Sequence, residues 1–113
     1  MNHFEHDNQV LFFQWFRLAH PAIVAFAIPN AARRSPRQGA WMKAEGLCAG
    51  LPDICILHRT QNYGVLFIEM KALKSKLSPA QSAINDQIRN SGYCCKVARS
   101  FEEAKKIVEE YLS

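Results

Sequence analysis

The 113-residue sequence predicts one α/β domain, residues 1–113, with a mixed four-stranded sheet flanked by helices. Two observations lead to this prediction. Short apolar runs bounded by glycine, proline or asparagine indicate strands, and apolar residues three and four positions apart, next to capping or stop signals, indicate helices. These segments occur in the order α-β-β-β-α-β-α along the chain.

The first helix is predicted over residues 4–20, and Pro21 ends it. One stripe of its surface carries apolar residues at helical spacing, which predicts that this stripe faces a core. The stripe consists of Phe12, Trp15, Phe16 and Ala19.

Three strands are predicted next, over residues 23–28, 53–57 and 65–70. The first is a continuous apolar run, which is typical of a buried strand. A turn signal at residues 61–64 joins the second and third strands as a hairpin, so the three strands can form a meander. Residues 31–38 are predicted to be a basic loop, and residues 39–46 are compatible with a short helix in which Trp41 packs inward.

Residues 78–81, Ser-Pro-Ala-Gln, form a capping box that begins a helix over residues 79–91. On this helix Ile84 and Ile88 are predicted to face the core, and Gly92 to follow its end. A fourth strand over residues 93–98 then lies parallel to a neighbour. A second capping box, Ser100 with Glu103, begins the last helix, which buries Phe101, Ala104, Val108 and Leu112.

The net charge of +4 permits nucleic-acid binding without requiring it. No apolar run approaches the roughly 20 residues needed to span a bilayer, and the acidic, aromatic N-terminus is unlike a signal peptide. The four cysteines include no C-x-x-C pair and lie in apolar sequence, which favours buried reduced thiols over a zinc site. We therefore expect a cytoplasmic protein with no membrane partner.

Asp53 opens the second strand, and Glu69 and Lys71 close the third. A hairpin brings these strand ends together, so the three side chains are expected to converge. Carboxylates are hard oxygen ligands of the kind that Mg²⁺ prefers, and such a metal activates water and neutralises charge on a phosphoryl group. In the alternative interpretation, Asp53 only begins a strand, and Glu69 and Lys71 are a pair of charged residues that face solvent. Against this, a charge at the edge of an apolar strand needs a partner or a metal.

Three motifs in this order, residues 50–54 (Gly-Leu-Pro-Asp-Ile), 68–71 (Ile-Glu-Met-Lys) and 77–81 (Leu-Ser-Pro-Ala-Gln), resemble the PD-(D/E)xK nuclease superfamily. The closest similarity is to its VRR-NUC branch, in the stand-alone form found in bacteriophages, and it covers nearly the whole chain. The resemblance implies a restriction-endonuclease-like core and, for a phage-encoded protein, the cytoplasm of the bacterial host.

The same resemblance implies that Asp53, Glu69 and the backbone carbonyl of Met70 bind Mg²⁺ or Mn²⁺, with Lys71 as the catalytic lysine. It also implies catalytic roles for Glu5, as a further metal ligand, and for Gln81. Helical spacing independently places Glu5 on the stripe that carries Phe12, although a carboxylate in a first turn also suits the helix dipole. Capping by Ser78 likewise explains Gln81 without chemistry.

Basic residues near this site are expected to hold the DNA backbone, because four of them fall within 11 positions after the first strand. A solvated loop is the alternative. Asn30, at the end of that strand, contacts substrate or makes a turn. The candidate DNA-binding residues are Asn30, Arg33, Arg34, Arg37, Lys43, Lys74 and Lys76.

The sequence thus predicts a metal-dependent DNA endonuclease that is selective for branched or junction DNA. A homodimer is expected, because cutting two strands symmetrically needs two sites. Two alternatives stay open: a non-catalytic nucleic-acid-binding module of phage recombination or replication, and a sequence-specific restriction-type endonuclease.

Overall fold

The structure is a computed structural model that describes residues 2–29 and 35–113. These residues form helices on both sides of one sheet. The elements are α1 (His3–Ala19), β1 (Val24–Ala27), α2 (Pro36–Ala44), β2 (Ile54–Leu57), β3 (Val65–Met70), α3 (Pro79–Asn90), β4 (Cys94–Ala98) and α4 (Phe101–Leu112).

The strands lie in the order β1-β2-β3-β4. β1 pairs antiparallel with β2, and β2 pairs antiparallel with β3, where Ile54 lies opposite Ile68. β4 runs parallel to β3, with Ala98 opposite Met70, and α3 makes the crossover that a parallel pair requires. The predicted α/β class, meander and crossover are confirmed.

The core lies between one face of the sheet and helices α1 and α4. Phe12 and Phe16 of α1 are fully buried there, as predicted, and Trp15 packs against the core edge. Ala19, the last helical residue, is exposed instead, so the buried stripe of α1 ends at Phe16. Phe13 is buried in addition, with its ring edge-on to Phe12 at 5.4 Å.

β1 is an exposed edge strand, which corrects the prediction of a buried one. Val24 and Phe26 are both exposed, since β1 has a strand neighbour on one side and no described helix packs against it. An apolar run is therefore compatible with an edge as well as with a core, and the difference depends on where the strand lies in the sheet.

The interval predicted as a loop over residues 31–38 contains the start of α2. Ser35 caps this helix: its hydroxyl accepts a hydrogen bond from the Gln38 N–H, and Gln38 Oε1 accepts one from the Ser35 N–H. Ser35-Pro36-Arg37-Gln38 repeats the Ser-Pro-x-Gln pattern of residues 78–81, so the signal was present in the sequence.

The starts of α3 and α4 and the end of α3 lie where the capping residues and Gly92 predicted them. Ser78 and Gln81 form the predicted capping box of α3, and Gly92 follows α3 with a positive φ of 93°. The Ser100 hydroxyl accepts from the Glu103 N–H at the start of α4, which buries Ala104 and Val108. Phe101 and Leu112 are partly buried against the core.

All four cysteines are free thiols, and Cys55, Cys94 and Cys95 are buried. Burial raises the pKa of Cys95 to about 11, so this thiol stays protonated at neutral pH. Within the two described segments, no helix has the length and apolar character needed to cross a membrane.

Candidate active site

The ends of β2 and β3 bring Asp53 beside the peptide that follows Glu69. The Asp53 N–H donates to the Ile68 carbonyl at 3.1 Å, which continues the ladder one residue beyond β2. Asp53 Oδ2 accepts a hydrogen bond from the Met70 N–H at 2.8 Å. This bond is buried, so it holds the carboxylate in one place at the edge of the sheet.

Glu69 is the most deeply buried acid of the site, with 1% of its surface exposed. Its Oε2 lies 3.5 Å from Gln81 Nε2, and its Oε1 has no hydrogen-bond partner among the described residues. Burial raises the pKa of Glu69 to about 9. The neighbouring carboxyl group of Asp53 and the charge of Glu5 also raise this pKa, whereas the charge of Lys71 lowers it.

A hydrogen bond joins the side chains of Lys71 and Gln81 at the site. The Lys71 N–H donates to the Ala98 carbonyl at 2.9 Å, which ties the residue to the end of β4. Its Nζ donates to Gln81 Oε1 at 3.1 Å. The same oxygen accepts from the Ser78 N–H at 2.9 Å, so the cap of α3 and the contact to Lys71 coexist in one side chain.

Gly50 sets the approach of the β2 entry loop to α3. Its φ is +87°, a left-handed conformation that residues other than glycine rarely adopt. A Cβ atom at this position would lie 2.6 Å from the Ala80 carbonyl oxygen, which is backbone and cannot move freely. Asp53 and Gln81 therefore reach the same site because residue 50 lacks a side chain.

Glu5 lies at the rim of the site, half-buried in the first turn of α1. Its Oε2 accepts from Asn2 Nδ2 at 2.8 Å and from the Ala72 N–H at 3.3 Å. The structure thus joins α1 to the residue after Lys71. In residues 2–29 and 35–113, no three His, Cys, Asp or Glu side chains are grouped closely enough to hold a metal ion.

The oxygen atoms at the end of β3 nevertheless suit a hard cation. The Asp53 carboxylate and the unpartnered Glu69 Oε1 are two such donors. The carbonyl of Met70 is a third: the Lys71 N–H of the same planar peptide points to β4, so this carbonyl points the opposite way, towards β2. The resemblance implies the same three residues as ligands of Mg²⁺ or Mn²⁺.

Two residues next to the site were missed by sequence reasoning. Arg99 Nη1 donates to the carbonyls of Ala72 at 2.7 Å and Ser75 at 2.5 Å, which holds the segment after Lys71 against the end of β4. No local pattern marks this arginine, because its partners are 24 or more positions away.

Asn85 is the second. It is fully buried, neither amide atom has a partner among the described residues, and it lies one helical turn after Gln81 on the same face of α3. Ile84 and Ile88, which were predicted to face the core, are only half-buried and lie outside the core cluster. The asparagine between them was the available signal.

The candidate DNA-binding residues fall into two described groups. Arg37 and Lys43 are exposed on α2, and Lys74 and Lys76 are exposed after Lys71. Asn30, Arg33 and Arg34 lie outside the described residues.

Trp41 of α2 is not a packing residue, contrary to the prediction, since 71% of its surface is exposed. It is surrounded by solvent because α2 packs against no other described helix or strand.

Comparison with known proteins gives consistent matches. The family model of the VRR-NUC domain matches residues 2–102. A solved structure titled "VRR_NUC domain protein" is 24% identical in sequence and has a TM-score of 0.79. The alignment covers 99% of this chain and 90% of the chain in that structure. Another solved structure, titled "VRR_NUC domain", is 19% identical and has a TM-score of 0.64. Here the alignment covers 95% of this chain and 96% of the chain in that structure. No protein with a curated description matches the chain.

Proposed function

Because the chain belongs to the VRR-NUC domain family, whose members are nuclease-like, we propose that it is a metal-dependent endonuclease that hydrolyses DNA phosphodiester bonds. One observation carries the proposal: a buried carboxylate with an unpartnered oxygen, Glu69, lies beside Asp53 and is followed two residues later by a lysine. The order Asp53, Glu69-x-Lys71 also supports placing the chain in the PD-(D/E)xK superfamily.

In this proposal Asp53, Glu69 and the Met70 carbonyl hold Mg²⁺ or Mn²⁺, and Glu5 contributes from the rim. The bound metal would supply Lewis-acid activation of water and charge neutralisation at the phosphate. A bound divalent cation would also offset the free-energy cost of ionising Glu69, because it stabilises the carboxylate form that burial disfavours.

The side chains of the protein contribute orientation and charge. Lys71 Nζ, held at 3.1 Å by Gln81, places a positive charge beside the phosphate and stabilises the negative charge that develops on its oxygens. Gln81 keeps this ammonium in place because its own position is set by the capping box of α3. Basic residues on α2 and after Lys71 hold the DNA backbone.

Branched DNA is the proposed substrate and a two-fold homodimer the proposed assembly. In the part of the chain that the structure describes, α2 projects from the sheet and the helices that pack on it. Selection of DNA would then depend on such projecting segments and on the spacing of two active sites in a symmetric pair.

The test is cleavage of a panel of linear, flap, replication-fork and four-way DNA substrates with Mg²⁺, Mn²⁺ or chelator. Wild type should cut with metal and prefer branched substrates, and Asp53→Ala should bind DNA without cutting. Asp86→Ala is the matched control, because Asp86 is an exposed acid on α3 whose ion pair with Arg89 lies on the surface.

Cleavage by Asp53→Ala at the wild-type rate, or DNA binding by wild type without cleavage under any metal condition, would contradict the nuclease proposal. The second result would favour a non-catalytic nucleic-acid-binding module. Discrete fragments from linear DNA would instead indicate a sequence-specific restriction-type enzyme.

A further inference from the structure

Helix α2 is built differently from the other three helices of the described chain. None of its residues is buried, and it packs against no other described element. A nine-residue helix is only marginally stable in water, so its capping box is the main local contribution that holds it together. Packing against the other described helices and strands therefore does not stabilise α2, and contact with a ligand or a partner would add to its stability.

The surface of α2 combines an aromatic ring with positive charge. Arg37 lies one helical turn before Trp41, so the guanidinium and the indole share a face. Lys43 adds a second cation near the C-terminus, and the first turn carries no acidic residue. This combination complements a polyanion with exposed aromatic rings, which describes a nucleic-acid strand with unpaired bases.

The connection that contains α2 begins and ends at the candidate active site. On the incoming side, the Ile28 N–H donates to the Asp53 carbonyl at 2.8 Å. On the outgoing side, Gly50 lies against the backbone of Ala80 at the start of α3. Residues 45–49 are all that separate α2 from this anchor, so the end of α2 lies at most about 22 Å from Gly50. DNA held at Asp53 and Glu69 is therefore within reach of α2.

We propose that Trp41 stacks on an unpaired base close to the cleaved phosphate, while Arg37 and Lys43 contact the flanking phosphates. This inference rests on the proposed DNA substrate and specifies which feature of it is read. Bases inside a duplex are already stacked on their neighbours, whereas a base at a branch point or in a single strand offers a free face. Trp41 thereby selects DNA with unpaired bases over continuous duplex.

The test measures DNA binding in chelator, where stacking is separated from cleavage. The probes are a single-stranded oligonucleotide, a four-way junction and a blunt duplex. Trp41→Ala should weaken binding to the first two about tenfold and leave duplex binding nearly unchanged, whereas Trp41→Phe retains an aromatic ring and most of the affinity. Leu18→Ala is the matched control, because it removes another highly exposed apolar side chain from a different helix.

Tryptophan emission gives a second, direct measurement. The difference between wild type and Trp41→Phe isolates Trp41 from Trp15, and this difference signal should be quenched by single-stranded DNA. Equal binding by wild type and Trp41→Ala to every probe would overturn the inference. So would loss of a dimer in Trp41→Ala by sedimentation, because a second copy would then be what covers Trp41.

The two proposals fail separately. If wild type never cleaves DNA but Trp41 still supports binding to single strands, the endonuclease proposal is wrong and the stacking inference stands. If wild type cleaves and Trp41→Ala cleaves and binds every substrate equally well, the stacking inference is wrong and the endonuclease proposal stands.

Discussion

Lys71 Nζ donates a 3.1 Å hydrogen bond to Gln81 Oε1, the same oxygen that caps α3 by accepting from the Ser78 N–H. The start of α3 and the ammonium proposed to be catalytic are therefore both positioned by the same atom. The other end of the Gln81 amide lies 3.5 Å from Glu69 Oε2, so this side chain spans the lysine and the buried acid.

Gln81→Ala should reduce cleavage about 10- to 100-fold, because Lys71 loses the contact that places it. The control is Gln38→Ala, which removes the equivalent glutamine from the capping box of α2. Each variant loses local capping bonds, worth up to about 1 kcal/mol in total at an exposed helix start. Single-turnover cleavage and thermal unfolding separate the two effects; equal activity of both variants would show that Gln81 only caps.

Lys71→Ala should lower the cleavage rate at saturating DNA about 10²- to 10³-fold, as expected for loss of a charge that stabilises the transition state. Binding to DNA in chelator should change little. Lys74→Ala should do the opposite, weakening binding and its salt dependence while leaving the saturated rate intact, because Lys74 is an exposed lysine in the next segment. A saturated rate in Lys71→Ala that matches wild type would contradict its role.

Without metal, the stability of the protein should fall as the pH rises from about 5 to about 9. The pKa of Glu69 is raised from 4.5 to about 9 in the folded protein, chiefly by burial. Between these values the folded state keeps a proton that the unfolded state has released, so the free energy of unfolding falls with pH, by at most about 1.4 kcal/mol per unit.

Glu69→Gln should flatten this dependence, since the amide does not titrate. Urea unfolding in chelator at several pH values measures the slope, and Glu109→Gln, at an exposed acid of α4, is the control. Parallel profiles for wild type and Glu69→Gln would contradict the raised pKa. Adding Mg²⁺ should stabilise wild type most at high pH, where Glu69 is most readily ionised.

Gly50→Ala should destabilise the protein by at least about 1–2 kcal/mol through the left-handed backbone alone. It should also lower cleavage in the fraction that folds, because the new methyl group would displace the backbone of Ala80 and, with it, Gln81. Gly39→Ala is the control: it meets no atom within 4 Å and lies inside α2, so it should stabilise that helix by up to about 1 kcal/mol. Thermal unfolding and cleavage of the two variants provide the measurement, and unchanged activity in Gly50→Ala would show that the close approach is not needed.

Much of the fold is encoded locally. The apolar runs of β2 to β4, the capping boxes at Ser78 and Ser35, and Gly92 after α3 each act over a few residues, so the pattern by itself determines the element. The meander and the crossover follow because consecutive strands pair with neighbours and a parallel pair needs a helix between its strands. The same topology explains why Asp53 could be expected beside Glu69.

Other features depend on contacts between distant parts of the chain. The Glu5 carboxylate accepts a hydrogen bond from the Ala72 N–H, which is 67 positions away in the sequence. The Arg99 guanidinium donates to the carbonyls of Ala72 and Ser75 at the end of the sheet. The exposure of β1 and of Trp41 depends on which elements pack against them, and an apolar composition is the same at an edge as in a core.

The sequence by itself therefore determined the order of helices and strands and the family motifs at Asp53, Glu69 and Lys71, because these rest on local pattern. Only the tertiary structure decided that Glu69 is buried with an unpartnered oxygen, that Gln81 joins it to Lys71, and that Trp41 faces solvent. Burial and hydrogen-bond partnership are properties of packing in three dimensions, and no spacing along the chain specifies them.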